Sequence, residues 1–169
     1  MTRPPAAPLS AVPDFDHEME TTRRLLERVP MDRAAWKPHP RSTSLGALAA
    51  HVAGLVSFGS RIATLDEVDM TVSGGNRPPS SFSTTGALLE AFDASVAASR
   101  AAIARLDADA LGRPWTLRAG GNVFFSLPRA NVFRVFMMNH IIHHRGQLSV
   151  YLRELDVPLP PIYGPTADS

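Results

Sequence analysis

Two histidines four residues apart, His140 and His144, are the part of this sequence best suited to chemistry. On an α-helix that spacing sets the side chains about 40° apart around the axis and about 6 Å apart along it, so both imidazoles can lean toward one point. Ligands from adjacent turns are a common start to a metal site, and a third must come from another element. His51 is the only other histidine on an apolar helical seam, which makes His51, His140 and His144 the candidate ligand set. Three neutral nitrogens at roughly 2.0–2.1 Å would leave a tetrahedral ion one position open to water or substrate, as in catalytic zinc sites. Five- or six-coordinate nickel, manganese or iron would fit as well. Histidine-only ligation leaves the ion's 2+ charge unneutralised and lowers the pKa of a bound water, which brings hydrolysis or activation of a thiolate into range.

The same residues have a plainer reading. A buried histidine is ordinarily a hydrogen-bonded core residue, and a His-x-x-x-His spacing also arises by chance on exposed helices. Against this, three imidazoles gathered in one core would be costly to desolvate without a metal or a full set of hydrogen bonds. A competing pair, His140 with His143, stays open; otherwise His143 reads as a hydrogen-bonding neighbour of the site, and His17 and His39 as surface or loop residues. Position 141 is Ile, where a zinc-protease helix would carry Glu, so the peptidase reading fails. No acidic residue sits on the predicted seams beside the site, and the general base is unassigned. Gln147 and Tyr151 could orient a substrate, but packing or surface roles explain both more simply.

Four helical segments must position these residues, and no long run alternates with a period of two. The first follows Pro13, with Asp14 expected as N-cap and a seam of Phe15, Met19, Thr22, Leu26 and Val29. The second begins at Leu45 behind Thr43 or Ser44, and Leu48, His51, Leu55, Phe58 and Ile62 recur along it, which predicts His51 inside the apolar stripe. Residues 66–83, with Gly74-Gly75 and Pro78-Pro79, read as a long connection. The third helix, about 84–106, carries Leu88, Phe92, Val96, Ile103 and Leu106 among alanines that would let a neighbouring backbone come close. Between Pro114 and Ser126, Trp115 and Leu117 precede a Gly120-Gly121-Asn122 turn, a short hairpin or extended loop. The fourth helix is expected from Ser126 or Leu127, just before Pro128, to about Leu155, with Phe133, Met137, His140, His144, Leu148, Tyr151 and Leu155 as its seam. Val132, Val135, Phe136 and Ile142 exceed what one seam needs and predict a dimer through its first half. The proline-bearing end, 156–169, should lie extended over the helices.

The reading is therefore an all-α four-helix bundle with a hairpin or extended loop before the last helix. A flexible arm over 1–13 precedes a single domain over 14–169. At 169 residues such a domain buries roughly 70% of the surface of its unfolded chain, enough for a self-sufficient core. With 17 Lys+Arg against 16 Asp+Glu and no basic stripe, a nucleic-acid partner is not expected. Zero cysteines exclude disulfides, thiolate metal sites and a thiol nucleophile in the chain itself. Prolines at 4, 5, 8 and 13 interrupt any signal-peptide pattern, and the most apolar segment, 130–142, is short of the ~20 residues that cross a bilayer. A cytoplasmic protein acting on small molecules, with no membrane partner, is expected.

The stretches Ser44-Leu45-Gly46-Ala47-Leu48-Ala49-Ala50-His51 and His140-Ile141-Ile142-His143-His144-Arg145-Gly146-Gln147 resemble the two signature stretches of the DinB/YfiT-like superfamily. The Gly120-Gly121 loop and the closing Val157-Pro158-Leu159-Pro160-Pro161-Ile162-Tyr163-Gly164-Pro165 resemble it too. The resemblance implies an up-down-down-up four-helix bundle, commonly dimeric, with a nickel- or zinc-like ion on three histidines. Those fall on His51, His140 and His144, with Arg145, Gly146 and Gln147 in supporting places. It also implies thiol-dependent transferases and isomerases among the relatives, which use bacillithiol or mycothiol. Two functions follow as expectations. One is a metal-dependent transferase or hydrolase in which the ion activates water or a low-molecular-weight thiol against a small electrophile. The other is a non-catalytic dimeric bundle with a structural or regulatory ion.

Overall fold

The structure, a computed structural model, describes residues 11–72 and 81–168. The arm expected over 1–13 lies almost wholly outside the described residues, as do Gly74-Gly75 and Pro78-Pro79 of the long connection.

Local chemistry starts each helix. Helix α1 (Phe15–Leu26) buries Phe15, Met19, Thr22, Leu25 and Leu26 on one face. Asp14 precedes it without capping it; its carboxylate accepts from Arg134 Nη1 at 2.5 Å instead. After a 3-10 turn at Met31–Arg33 comes α2 (Leu45–Leu55). The first N–H groups of a helix have no partner within it. Here Leu45 and Gly46 donate to the carbonyls of Trp36 and Ala34, both at 2.9 Å, and the Ser44 hydroxyl accepts from Ala47. That approach needs glycine at 46, where a Cβ would stand 2.8 Å from Ala34 Cβ.

The helix expected to run on from Leu45 through Ile62 is two helices. The chain turns at Val56-Ser57 and continues as α3 (Phe58–Thr64). Backbone groups freed at the turn find partners: buried Ser99 donates to the Val56 carbonyl at 2.7 Å and accepts from the Ser60 N–H at 3.1 Å. Ser99 lies on α4 (Thr85–Ile103), which Thr84 caps and which packs on α1, α2 and α3. A short α5 (Ala108–Gly112), capped by Asp107, follows.

Three strands interrupt the helices: β1 (Glu67–Asp69), β2 (Pro114–Ala119) and β3 (Asn122–Pro128). Their order is β1-β2-β3, with β1 parallel and β3 antiparallel to β2. The hairpin half of the expectation is present, turning at Gly120 with φ 57°. Strand β1 is an addition, so the chain is mostly helical with a small sheet, not all-α; three residues are too few to show a period of two. Trp115 and Leu117 bury the inner face of the sheet.

The last helix starts later than expected. Ser126 and Leu127 belong to β3, and Pro128 stands in extended backbone before α6 (Arg129–Val132). The buried Arg129 side chain donates to the carbonyls of Ile62, Leu65 and Ala110 and to the Asp66 carboxylate, tying this start to the end of α3. A π-helical stretch (Phe133–Met138) then leads into α7 (Asn139–Glu154), with the Asn139 N–H reaching back five residues to the Arg134 carbonyl. One wider turn shifts everything after it around the axis. The buried residues are Phe133 and Met137, then Met138, Ile141, Arg145, Leu148 and Leu152. His140, His144, Tyr151 and Leu155, expected on the seam, flank that face half-buried. Of the surplus apolar residues, Val132 is core, Phe136 and Ile142 are half-buried, and Val135 alone points outward.

Helix α7 packs on α1 and α2. Among the described residues, Leu45–Thr64, and not 130–142, is the helical stretch long and apolar enough to cross a membrane, and most of it is buried inside the protein.

Candidate metal centre

Helices α2 and α7 pack side by side, and their contact brings His51 together with His140 and His144. Ring centroids stand 5.3 Å apart for His51 and His140, 4.6 Å for His51 and His144, and 4.8 Å for His140 and His144. One ring nitrogen from each lies within 4.8 Å of the others. The three residues singled out by spacing therefore form one group. They do not form it in the core: His51 is exposed, and His140 and His144 are half-buried. On α2 Leu45, Gly46, Leu48, Ala49, Ala50, Val52, Ala53 and Leu55 are buried, and His51 stands on the rim of that broad face. A helix apolar at almost every position offers more than one stripe, and its spacing alone does not say which one is buried.

The electrostatics favour neutral rings. His140 is pushed down to about 4, first by burial and then by the charges of His144, His51 and His143, while a hydrogen bond to the Phe136 carbonyl works the other way. His51 is lowered too, by burial and then by His144. Although His51 keeps exposed surface, its ring is enclosed enough by the neighbouring imidazoles to lose solvation. At neutral pH both rings hold an unprotonated nitrogen, the form that ligates a metal.

The donor set fits a divalent transition metal. Imidazole nitrogens bond zinc at about 2.0–2.1 Å, which sets them about 3.4 Å apart in a tetrahedral site, so small side-chain rotations close the observed group. An all-imidazole set suits zinc, nickel or iron better than magnesium or calcium, which take oxygen ligands.

The remaining candidates sort by contact. His143 is exposed, its ring 4.9 Å from that of His144 and outside the group, so the His140/His143 alternative is not the arrangement found. His17 and His39 are exposed, and His39 Nδ1 accepts from the Arg41 N–H at 3.2 Å. Tyr151 donates to the Thr43 carbonyl at 3.2 Å and meets Trp36 edge-on, holding the loop before α2 and taking no part in the site. Gln147 does reach it: its Oε1 lies 2.7 Å from His144 Nδ1. The three-residue spacing from His144 on one helix was the available signal for that contact.

Sequence reasoning missed a buried ionic cluster next to the site. Arg145, 1% exposed, pairs with Glu18 of α1 at 2.6 Å and donates to the Tyr163 hydroxyl at 2.5 Å, which in turn donates to Glu18 at 2.8 Å. Arg145 thus locks α7 to α1 and to the C-terminal segment, and Glu18, already engaged by two partners, is not a free base. On the other side of His140 stands an aromatic wall. The Phe136 ring centroid is 5.9 Å from that of His140, with Phe58 at 5.1 Å and Phe125 at 5.5 Å from Phe136.

The family model of the DinB superfamily matches residues 14–148. No curated protein matches the chain. Among solved structures, the chain is similar to a DinB-like protein from Bacillus subtilis, with a TM-score of 0.67 and 19% identity over 90% of this chain and 96% of that one. A DinB-like protein from Bacillus cereus gives a TM-score of 0.64 and 19% identity, over 89% of this chain and 93% of the other. At these identities the two structures support the fold alone.

Proposed function

The chain belongs to the DinB superfamily, and from that premise we propose that it is a divalent-metal-dependent enzyme whose ion is held by His51, His140 and His144. The reaction we assign is attack of water or of a low-molecular-weight thiol on a small electrophile, as in a hydrolase or a thiol transferase. The observation that carries this reading is a group of three imidazoles with one member, His51, open to solvent. When bound there, a nickel or zinc ion, or manganese or iron in their place, supplies a Lewis acid that lowers the pKa of a coordinated water or thiol. The chain does the rest: burial keeps the His51 and His140 rings neutral, and Phe136, Phe58 and Phe125 offer an apolar surface beside His140 for the body of the substrate. The open side of the group weighs against a purely structural ion, which would be enclosed.

We read α1, α2 with α3, α4 and α7 as an up-down-down-up four-helix bundle in one domain over 14–169. It works in the cytoplasm as a homodimer on a small molecule, with no nucleic-acid or membrane partner. Val135, 57% exposed, and Val123 and Phe124 on β3, each 55% exposed, are the apolar surface that pairing would cover. A monomeric mass by light scattering at micromolar concentration would overturn the dimer.

Elemental analysis of protein purified without an affinity tag tests the centre. Close to one transition-metal ion per chain is expected, with occupancy lost in His51→Ala, His140→Ala and His144→Ala. Full occupancy in the variants would remove the site assignment. A fully metallated protein that turned over neither thiol-plus-electrophile pairs nor ester, amide and phosphoester panels would overturn the enzymatic reading.

A further inference from the structure

We propose that Gln147 is a positioning residue that sets the tautomer of His144: its side-chain carbonyl takes the Nδ1 proton and leaves the Nε2 lone pair to face a metal. The inference rests on the metal-site reading above. Its basis is the 2.7 Å contact between His144 Nδ1 and Gln147 Oε1. An amide oxygen has no proton to give, so the proton in this contact belongs to Nδ1, and a neutral imidazole has only one. Nε2 is then unprotonated. In water a neutral histidine side chain favours the opposite tautomer, with the proton on Nε2, which would place an N–H where a ligand is needed. Gln147 reverses that preference.

The choice of an amide has a further consequence. A carboxylate in this place would hold the same proton but add a negative charge beside the ion, offsetting the charge that makes a histidine-only site acidic. Glutamine orients the ring and leaves that charge intact. Gln147 itself is exposed on α7, three residues after His144, and Gly146 between them faces open space, so the side chain can be changed with little disturbance to packing.

The test uses the full-length protein with 15N-labelled histidine. In metal-free wild type, two-bond 1H–15N correlations should show His144 protonated at Nδ1; in Gln147→Leu the proton should move to Nε2. Zinc affinity, measured by competition with a chromophoric chelator, should fall about 10–100-fold in Gln147→Leu, the usual effect of removing such an acceptor. Gln147→Glu restores an acceptor and should return both the Nδ1–H pattern and the affinity, a rescue that a merely helix-stabilising role would not produce. Retention of the Nδ1–H pattern in Gln147→Leu, or affinity within about twofold of wild type, would overturn the proposal. Absence of zinc binding in wild type would overturn the metal reading instead, and the 15N pattern would still decide whether Gln147 sets the tautomer.

Discussion

An imidazole serves a metal only while it is neutral, and His140 is held in that state by burial and by three neighbouring histidines that lower it to about 4. The same shift makes stability depend on pH. In the unfolded chain the ring has its ordinary value near 6.5, so between about pH 6.5 and 4 the unfolded state binds more protons than the folded one. Stability is therefore fully present above that window and is lost as pH falls through it, and the lowered His51 acts in the same direction. Metal-free wild type should show a falling Tm across this range, and His140→Gln a shallower fall. Equal slopes for the two proteins would contradict the assigned shift.

Two elements depart from regular helix, and both departures place the site. The turn at Val56-Ser57 frees α3 to lie against α4, where the two backbones approach so closely that a Cβ on Gly59 would stand 2.7 Å from Ser99 Cβ and 3.1 Å from Met137 Sδ. Gly59→Ala should cost about 1–3 kcal/mol through overpacking, read as a lower urea midpoint. An unchanged midpoint would mean that α3 can move off α4 freely. The alanines of what became α4 predicted a close approach, but it is made at Ser99, and which neighbour arrives there is a matter of packing. The π turn before α7 is different in kind, because Phe133–Met138 are apolar enough to satisfy several registers. The Asn139 N–H bond to the Arg134 carbonyl shows that a wider turn was taken, and Met137 and Met138 are buried side by side within it.

The contact that ties distant parts of the molecule together is Arg145 with Glu18 and Tyr163, joining α7, α1 and the C-terminal segment. A charge this deeply buried is tolerable only while its partner remains. Arg145→Met should cost about 3–5 kcal/mol because it strands the Glu18 carboxylate, whereas Glu18→Leu with Arg145→Met should recover a large part of that loss. Urea unfolding of both variants decides the matter. A single variant as stable as wild type would show that the pair contributes nothing. Tyr163, mostly exposed, should matter less to stability but should loosen the segment around it when changed to Phe, seen as faster limited proteolysis after residue 157.

By itself the sequence determined that helices cover most of the chain, a cap at Thr43 or Ser44, a turn at Gly120-Gly121-Asn122 and the three histidines worth following. These follow from local rules: apolar spacing, capping chemistry, glycine's backbone freedom and ligand spacing on one helix. What it left open needed partners far along the chain. Resemblance gave Arg145 and Gln147 supporting places without saying what they touch; that Arg145 pairs with Glu18 shows only when α1 and α7 are laid together, and the contact of Gln147 with the His144 ring only in the folded helix. The depth of the site was decided by tertiary structure alone. Leu48, Leu55 and Ile62 of the stripe that carries His51 are buried as spacing predicts, but the packing of α2 against α4 and α7 left the imidazole itself at the rim. A helix buries the face its neighbours cover, and when nearly every face is apolar that choice belongs to the whole molecule.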